Sequence, residues 1–388
     1  MERLVVISTH PNQYTGYAKV GYNLIKRLAQ KNPECAISWY GFQKSANKIL
    51  RELPENVTLY DAESDEEDIF GVKGIQRFIK LTQPNVILLY NDPQVVNQFI
   101  HAIIQVKKES CKICLYLDLV YPHMNKTLIQ NSVSKCNDVA VFSNTSNKTF
   151  QNDANVIPHG LDDSSVFIMN QADAKKMIGI DTHKLILLNM NRNEKRKRYD
   201  IFIKAIVLYL KNVKELNLVV LIGTNIESSW KLKELYDIEA NENSVDYKWE
   251  DVFVYVGNAQ SLDDKVVNYI YNAADIGINT CDGEGFGLCN GEHASLGKPQ
   301  ILSNLDVFKE IYEDDVLYGE TAVECYKNDV LGGRTRICTP ESFAKCIEVY
   351  VNDENKRKND GYKLRERMKK YTWENAANLM NNFLMNIL

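Results

Sequence analysis

The sequence predicts an α/β protein made of two doubly wound parallel-sheet domains, and three observations carry that prediction. Short, almost continuous apolar runs recur along the chain, each followed by a turn and a longer stretch of helical periodicity. Runs that are apolar at successive positions suit strands covered by helices on both faces, as a parallel sheet requires. The pattern stops at a cluster of turn formers and then restarts, so two such units are expected. A length of 388 residues agrees, being too long for one comfortable hydrophobic core.

In the first half the strand-like runs are residues 4–8, 36–40, 86–90, 113–117 and 139–143. After the first, a helix is expected from near Gly16, with Val20, Leu24, Ile25 and Leu28 on one stripe. The break falls at Pro158-His159-Gly160-Leu161-Asp162-Asp163, where His159 reads as a packed hinge residue and Asp162 as a cap. The second half supplies runs 185–190, 216–222, 252–256, 276–279 and 299–302, and a last helix within 371–388 carries Trp373, Ala377, Met380 and Leu384 on one face. The expected organisation is a domain over 1–160, a second over 161–370 and a terminal helix over 371–388. The acidic stretch 61–68 reads as a solvated loop or helix start.

Composition narrows the function. With 45% hydrophobic and 25% charged residues the chain is globular, and a net charge of −5 argues against a bulk nucleic-acid binder. Nine cysteines without a secretory start read as reduced thiols, so a cytoplasmic location is expected. No run approaches the roughly 20 apolar residues of a membrane span, which leaves peripheral membrane contact as the form open to it. Cys111 and Cys114 have redox or zinc spacing but no partner pair, and no Asp-x-Asp follows an apolar strand. No metal site and no cofactor are therefore expected.

Two segments carry chemistry. In Cys281-Asp-Gly-Glu284-Gly285-Phe286-Gly287-Leu288-Cys-Asn-Gly-Glu292 a strand meets a glycine-dense turn and then a helix. Glycines let backbone N–H groups approach a ligand, and the helix directs its positive end at an anion. Carboxylates at Glu284 and Glu292 accept hydrogen bonds from hydroxyls, which suits a polyhydroxy ligand. The other segment is Asn191-Arg192-Asn-Glu-Lys-Arg-Lys197-Arg198, which follows a buried strand. Cations at that sheet edge suit a diphosphate.

The pairing of this Arg…Lys cluster with two glutamates eight residues apart resembles the retaining GT-B glycosyltransferases of sequence family 4. Further likeness lies in Val156-Ile-Pro-His-Gly-Leu-Asp162, Val256-Gly257, Tyr271-Asn-Ala-Ala-Asp275 and Tyr371-Thr-Trp-Glu374. The segment Leu188-Asn-Met-Asn-Arg-Asn…Arg-Lys-Arg-Tyr-Asp200 with Glu-Gly-Phe-Gly-Leu288 looks like enzymes encoded by large DNA viruses.

The resemblance implies two Rossmann-like domains facing a cleft, with the last helix crossing back to the first domain. It implies a nucleotide-sugar donor (GDP-mannose or a UDP-sugar), no metal, and a glycan, lipid or protein acceptor. Arg192 and Lys197 would bind the diphosphate, and Glu284 with Gly285, Phe286, Gly287 and Leu288 would meet the sugar and phosphates. Glu292 would bind the ribose, Val256 and Gly257 would lie near the base, and Gly16 would face the phosphates. Asp118 and His123, after a strand of the first domain, are the acceptor-side candidates. Competing readings are a hydrolase or epimerase on the same scaffold, and a binding protein without turnover. Oligomeric state is not legible.

Overall fold

The structure is a computed structural model of the 388-residue chain and describes all residues except 1, 44–50, 63, 64, 66, 163 and 258–261. Asp163 of the expected break, and Glu63, Ser64 and Glu66 of the acidic stretch, lie outside the described residues. Two compact units make up the chain. The first holds Met1–Gly160, Lys327–Arg334 and Tyr371–Leu388; the second holds Leu161–Tyr326 and Thr335–Lys370. Residues 327–334, inside the stretch expected to form the second domain, thus group with the first unit.

The first unit is built on a seven-stranded sheet of β1 (Arg3–Thr9), β2 (Ala36–Phe42), β3 (Val57–Asp61), β4 (Val86–Asn91), β5 (Lys112–Leu117), β6 (Asp138–Val141) and β7 (Asn155–Val156). Its order is β3-β2-β1-β4-β5-β6-β7, with neighbours parallel. The central strands are apolar at successive positions because both faces are covered: Val5, Val6 and Ile7 are each 1% exposed. β3 escapes a sequence reading because it is an edge strand with Thr58, Tyr60 and Asp61 exposed, and β7 because it is two residues long.

The helix Gly16–Lys31 buries the expected Val20, Leu24, Ile25 and Leu28, and Thr15 caps it by accepting the Ala18 N–H at 3.2 Å. The last helix, Trp373–Met385, buries Trp373, Ala377, Met380 and Leu384 and lies against Gly16–Lys31, with the Asn32 amide donating to Asn381 Oδ1 at 2.8 Å. Gly160 is required there, since a Cβ would lie 2.6 Å from the Trp373 Cα. His159 is buried, with its ring 4.2 Å from Phe142 and 6.2 Å from Trp373, and burial pushes its imidazole down to about 3.

Asp162 does not cap a helix. The next one, Gln171–Met177, starts after Asn170, which accepts the Asp173 N–H at 3.1 Å. Among the described residues no helix starts between Asp162 and Asn170, and Asn268 and Asn272 hold this strap by accepting the Phe167 and Met169 N–H groups at 3.0 and 2.9 Å.

The second unit is built on a six-stranded sheet of β8 (Leu185–Asn189), β9 (Leu218–Ile222), β10 (Phe253–Tyr255), β11 (Ile276–Asn279), β12 (Gln300–Leu302) and β13 (Leu317–Tyr318). Its order is β10-β9-β8-β11-β12-β13, again with parallel neighbours. Leu187, Val220 and Ile278 enter one core with the helices Tyr199–Leu210 and Pro340–Asn352; Ile186, Leu188 and Leu221 enter another with Asp264–Ala273. A separate ribbon pairs β14 (Thr321–Tyr326) with β15 (Arg334–Cys338). Strand order reverses between β8 and β11, and open α/β sheets bind ligands at the carboxyl ends of strands at such a reversal. Among the described residues no helix is long and apolar enough to cross a membrane.

Candidate active site

The two segments singled out by their chemistry are the ones that leave β8 and β11. After β8 the chain passes Asn191 and Arg192, makes one 3-10 turn over Lys195–Lys197, and enters the helix Tyr199–Leu210 through Arg198 at a left-handed φ of 50°. Side chains hold this irregular stretch in place of a ladder. Asn189 Oδ1 accepts from the amide of Asn191 at 2.8 Å, and the Tyr199 hydroxyl donates to the Asn191 carbonyl at 2.6 Å. Asn193 receives the Trp230 N–H at 3.0 Å and donates to the Trp230 and Asn225 carbonyls at 2.7 and 2.8 Å.

The segment after β11 is zipped to it. Thr280 Oγ1 donates to the Lys197 carbonyl at 3.2 Å and the Asp282 N–H to the Arg196 carbonyl at 2.9 Å. Asn279 Oδ1 accepts the Cys281 N–H at 3.0 Å, and the Thr335 hydroxyl donates to the Asp282 carbonyl. The loop ends at Gly287, whose φ of 84° begins the helix Leu288–Ser295. A Cβ there would lie 2.9 Å from Phe308 Cε1, so both conformation and space call for glycine.

These bonds bring Lys197 and Glu284 into direct contact. Lys197, only 7% exposed, donates to Asn191 Oδ1 at 2.8 Å and pairs with Glu284 Oε2. Arg196 donates from its guanidinium to the Gly283 carbonyl at 2.9 Å and lies 3.6 Å from Glu284 Oε1. Burial works against the Glu284 carboxylate, but the Lys197 and Arg196 charges outweigh it and hold the carboxyl at about 2. Glu284 is therefore an anion at neutral pH. Burial pushes the adjacent Cys281 thiol up to about 12, which makes it a neutral filler.

The other expected residues take separate places. Arg192 is not part of the Lys197–Glu284 contact: it is 47% exposed and pairs with Glu194 at 3.0 Å. Glu292 is buried on the helix after the loop and accepts the Tyr271 hydroxyl at 3.2 Å. Gly285 and Phe286 are buried in the turn, and Leu288 opens the helix. Val256 and Gly257 follow the edge strand β10, with the Val256 N–H on the Ile222 carbonyl at 3.1 Å and Gly257 at a φ of 95°.

In the first unit Gly16 is the exposed first residue of its helix, and the hydroxyl of the adjacent Tyr17 donates to Asp118 Oδ2 at 2.7 Å. His123 is exposed at a φ of 57°, with its N–H on Thr149 Oγ1 at 3.1 Å. Cys111 and Cys114 are buried, and burial raises both thiols. Among the described residues no group of three or more His, Cys, Asp or Glu is placed to hold a metal ion.

Sequence reasoning assigned no role to Arg196, Asn191 or Glu194, although all three stand in the quoted basic segment. They lie on a turn, where neither a 3.6- nor a 2-residue period tells which side chain faces which. Only the adjacency of β8 and β11 settles that.

Residues 170–373 match the family described as glycosyl transferases group 1. No curated protein sequence matches the chain. Among solved structures, a sucrose-phosphate synthase from Thermosynechococcus elongatus aligns with a TM-score of 0.75 at 15% identity, covering 100% of this chain and 99% of that one. A structure described as trehalose-6-phosphate from E. coli bound with UDP-2-fluoro glucose aligns with a TM-score of 0.70 at 11% identity and the same coverages. A UDP-forming α,α-trehalose-phosphate synthase from Burkholderia xenovorans aligns with a TM-score of 0.67 at 12% identity, covering 100% and 99%. At these identities the likeness speaks to fold, and the fold is GT-B: two Rossmann-like α/β units.

Proposed function

The chain belongs to the glycosyl transferases group 1 family, and from that premise we propose that it moves a glycosyl residue from a nucleotide-diphosphate sugar to an acceptor hydroxyl with retention of configuration. The observation that carries this reading is the Lys197–Glu284 contact at the point where the second sheet reverses its strand order. It sets a cation for phosphate beside a carboxylate for sugar hydroxyls.

In this reading Lys197 and Arg192 bind the diphosphate, with Arg196 close by. Glu284 accepts from a sugar hydroxyl, and the Gly285-Phe286-Gly287-Leu288 backbone lines the sugar and phosphates. Glu292 takes the ribose hydroxyls, Val256 and Gly257 lie near the base, and Gly16 serves the phosphates. Asp118 and His123 are the acceptor-side candidates for a glycan, lipid or protein. The bond from the anomeric carbon to the β-phosphate oxygen breaks, and a bond from the acceptor oxygen to the same face of that carbon forms. The departing phosphate takes the acceptor's proton.

Glu284 therefore positions the sugar and is not a covalent nucleophile. Its low carboxyl pKa excludes a general-acid role at neutral pH and leaves an anionic acceptor for sugar hydroxyls. Arginine and lysine neutralise the leaving group in place of a metal. A UDP-sugar is the favoured donor, on the strength of the neighbours described with UDP-2-fluoro glucose and as UDP-forming, with GDP-mannose as the rival. Nine free cysteines support a reducing, cytoplasmic setting. The likeness of the 188–200 and 284–288 segments to enzymes of large DNA viruses belongs to the same reading.

The test is thermal unfolding against UDP-glucose, GDP-mannose and related nucleotide sugars, followed by a released-nucleotide assay on each hit. At least one nucleotide sugar should stabilise the protein. Lys197→Ala should weaken it about a hundredfold while leaving free nucleoside binding nearly unchanged. Equal losses for both ligands, or no stabilisation by any nucleotide sugar, would remove the basis of the proposal.

A further inference from the structure

Lys197 and Glu284, the groups assigned to diphosphate and sugar, are bonded to each other. The other hydrogen bond of the Lys197 ammonium goes to a neutral amide oxygen of Asn191, so Glu284 is the anion that balances this buried cation. Around the pair the charges are cross-linked: Arg192 with Glu194 at 3.0 Å, Arg196 with Glu194 at 3.7 Å and Arg196 with Glu284 at 3.6 Å. Arg192, Arg196 and Lys197 thus each face a carboxylate, Glu194 or Glu284. A diphosphate that binds Lys197 therefore competes with Glu284 for it.

We propose that Glu284 discriminates the sugar-loaded nucleotide from the bare nucleoside diphosphate by occupying Lys197 until a ligand brings sugar hydroxyls to it. The inference rests on the donor-site reading above. A displaced Glu284, with its side chain 10% exposed, is poorly served by water and needs new hydrogen-bond donors. A nucleotide sugar supplies them from hydroxyls next to its anomeric carbon. A bare diphosphate supplies none and sets phosphate oxygens against the carboxylate, a like-charge repulsion at short range. The same carboxylate therefore favours donor entry and, once the sugar has left, expels the nucleotide product.

The experiment compares wild type and Glu284→Gln by calorimetric titration with inorganic pyrophosphate, UDP, UDP-glucose, GDP and GDP-mannose. Glutamine keeps the size of the side chain and removes the anion. The variant should bind pyrophosphate and the bare diphosphate about tenfold or more tighter than wild type. It should bind the nucleotide sugar no tighter, so the preference for sugar-loaded over bare nucleotide shrinks or reverses.

Glu284→Asp, which keeps the charge but reaches Lys197 less well, should show a smaller gain for pyrophosphate, and it serves alone if the glutamine variant does not fold. A wild type that binds nucleotide sugar, with variants that bind bare diphosphate no better than it does, overturns the inference and spares the donor site. A wild type that binds none of the five ligands overturns both.

Discussion

Removing the Arg196 side chain tests whether the glutamate loop is held by a group outside the residues assigned to the donor. Arg196→Ala deletes a charge-assisted hydrogen bond to the Gly283 carbonyl at 2.9 Å and a 3.6 Å contact with Glu284 Oε1. The first is worth about 1.5–3 kcal/mol. The second contributes about 1 kcal/mol, since water reaches the Arg196 side chain and screens it. Other restraints survive, among them the Asp282 N–H on the Arg196 carbonyl, the Thr335 hydroxyl on the Asp282 carbonyl, the Thr280 hydroxyl on the Lys197 carbonyl and the Lys197–Glu284 pair.

The expected loss is therefore about 2.5–4 kcal/mol, or a fall in Tm of roughly 5–16 °C for a unit of this size. The Glu284 carboxyl should rise from about 2, because one of the two cations holding it down is gone. Unfolding in urea measures the first effect, and donor titration with KM and kcat measures the second, where KM should rise more than kcat falls. Arg196→Lys keeps a charge near Glu284 but cannot span both partners, so it should restore part of the donor affinity and little of the stability. An alanine variant with wild-type Tm and wild-type donor affinity would show that backbone bonds alone shape the loop.

Gly160→Ala should cost about 3 kcal/mol or more, because the new Cβ meets backbone and indole atoms of Trp373 that have no room to move; wild-type urea midpoints would refute this. Gly287→Ala combines a φ of 84° with a 2.9 Å contact to Phe308, and should lower stability by about 2 kcal/mol while weakening the nucleotide sugar; an unchanged donor Kd would refute the second part.

His159 and His293 are held neutral by burial, each at about 3 against an ordinary 6.5. As pH falls below 6.5 the unfolded chain takes up these protons first, so stability present above 6.5 erodes toward 3, by about 2 kcal/mol per histidine near pH 5. His159→Phe should flatten that loss, and an unchanged difference between pH 7 and pH 5 midpoints would refute it. Glu284 acts at lower pH, since its carboxyl is depressed: its contribution is present above 4.5 and lost as pH falls toward 2.

Much of this architecture is local chemistry that a sequence expresses directly. Successive apolar residues at Val5, Val6 and Ile7, or at Ile186, Leu187 and Leu188, announce strands buried on both faces. Val20, Leu24, Ile25 and Leu28, or Trp373, Ala377, Met380 and Leu384, announce helices with one buried stripe. Lys197 and Glu284 were legible as chemistry because a cation cluster and a glycine-bounded glutamate each follow such a strand. Other features left no local trace. The strap after Leu161 is held by Asn268 and Asn272, about a hundred residues away, and so Asp162 looked like a cap without being one.

Arg196 and Arg192 are indistinguishable as members of one basic turn. The tertiary structure alone turns Arg196 onto Gly283 and Glu284 and leaves Arg192 half exposed on Glu194. The physical reason is strand order: β8 and β11, separated by nearly ninety residues, become neighbours where the sheet reverses, and the Asp282-to-Arg196 backbone bond then sets which side chains meet. The sequence determined which groups were available for chemistry, and the pairing of the sheet determined which of them touch.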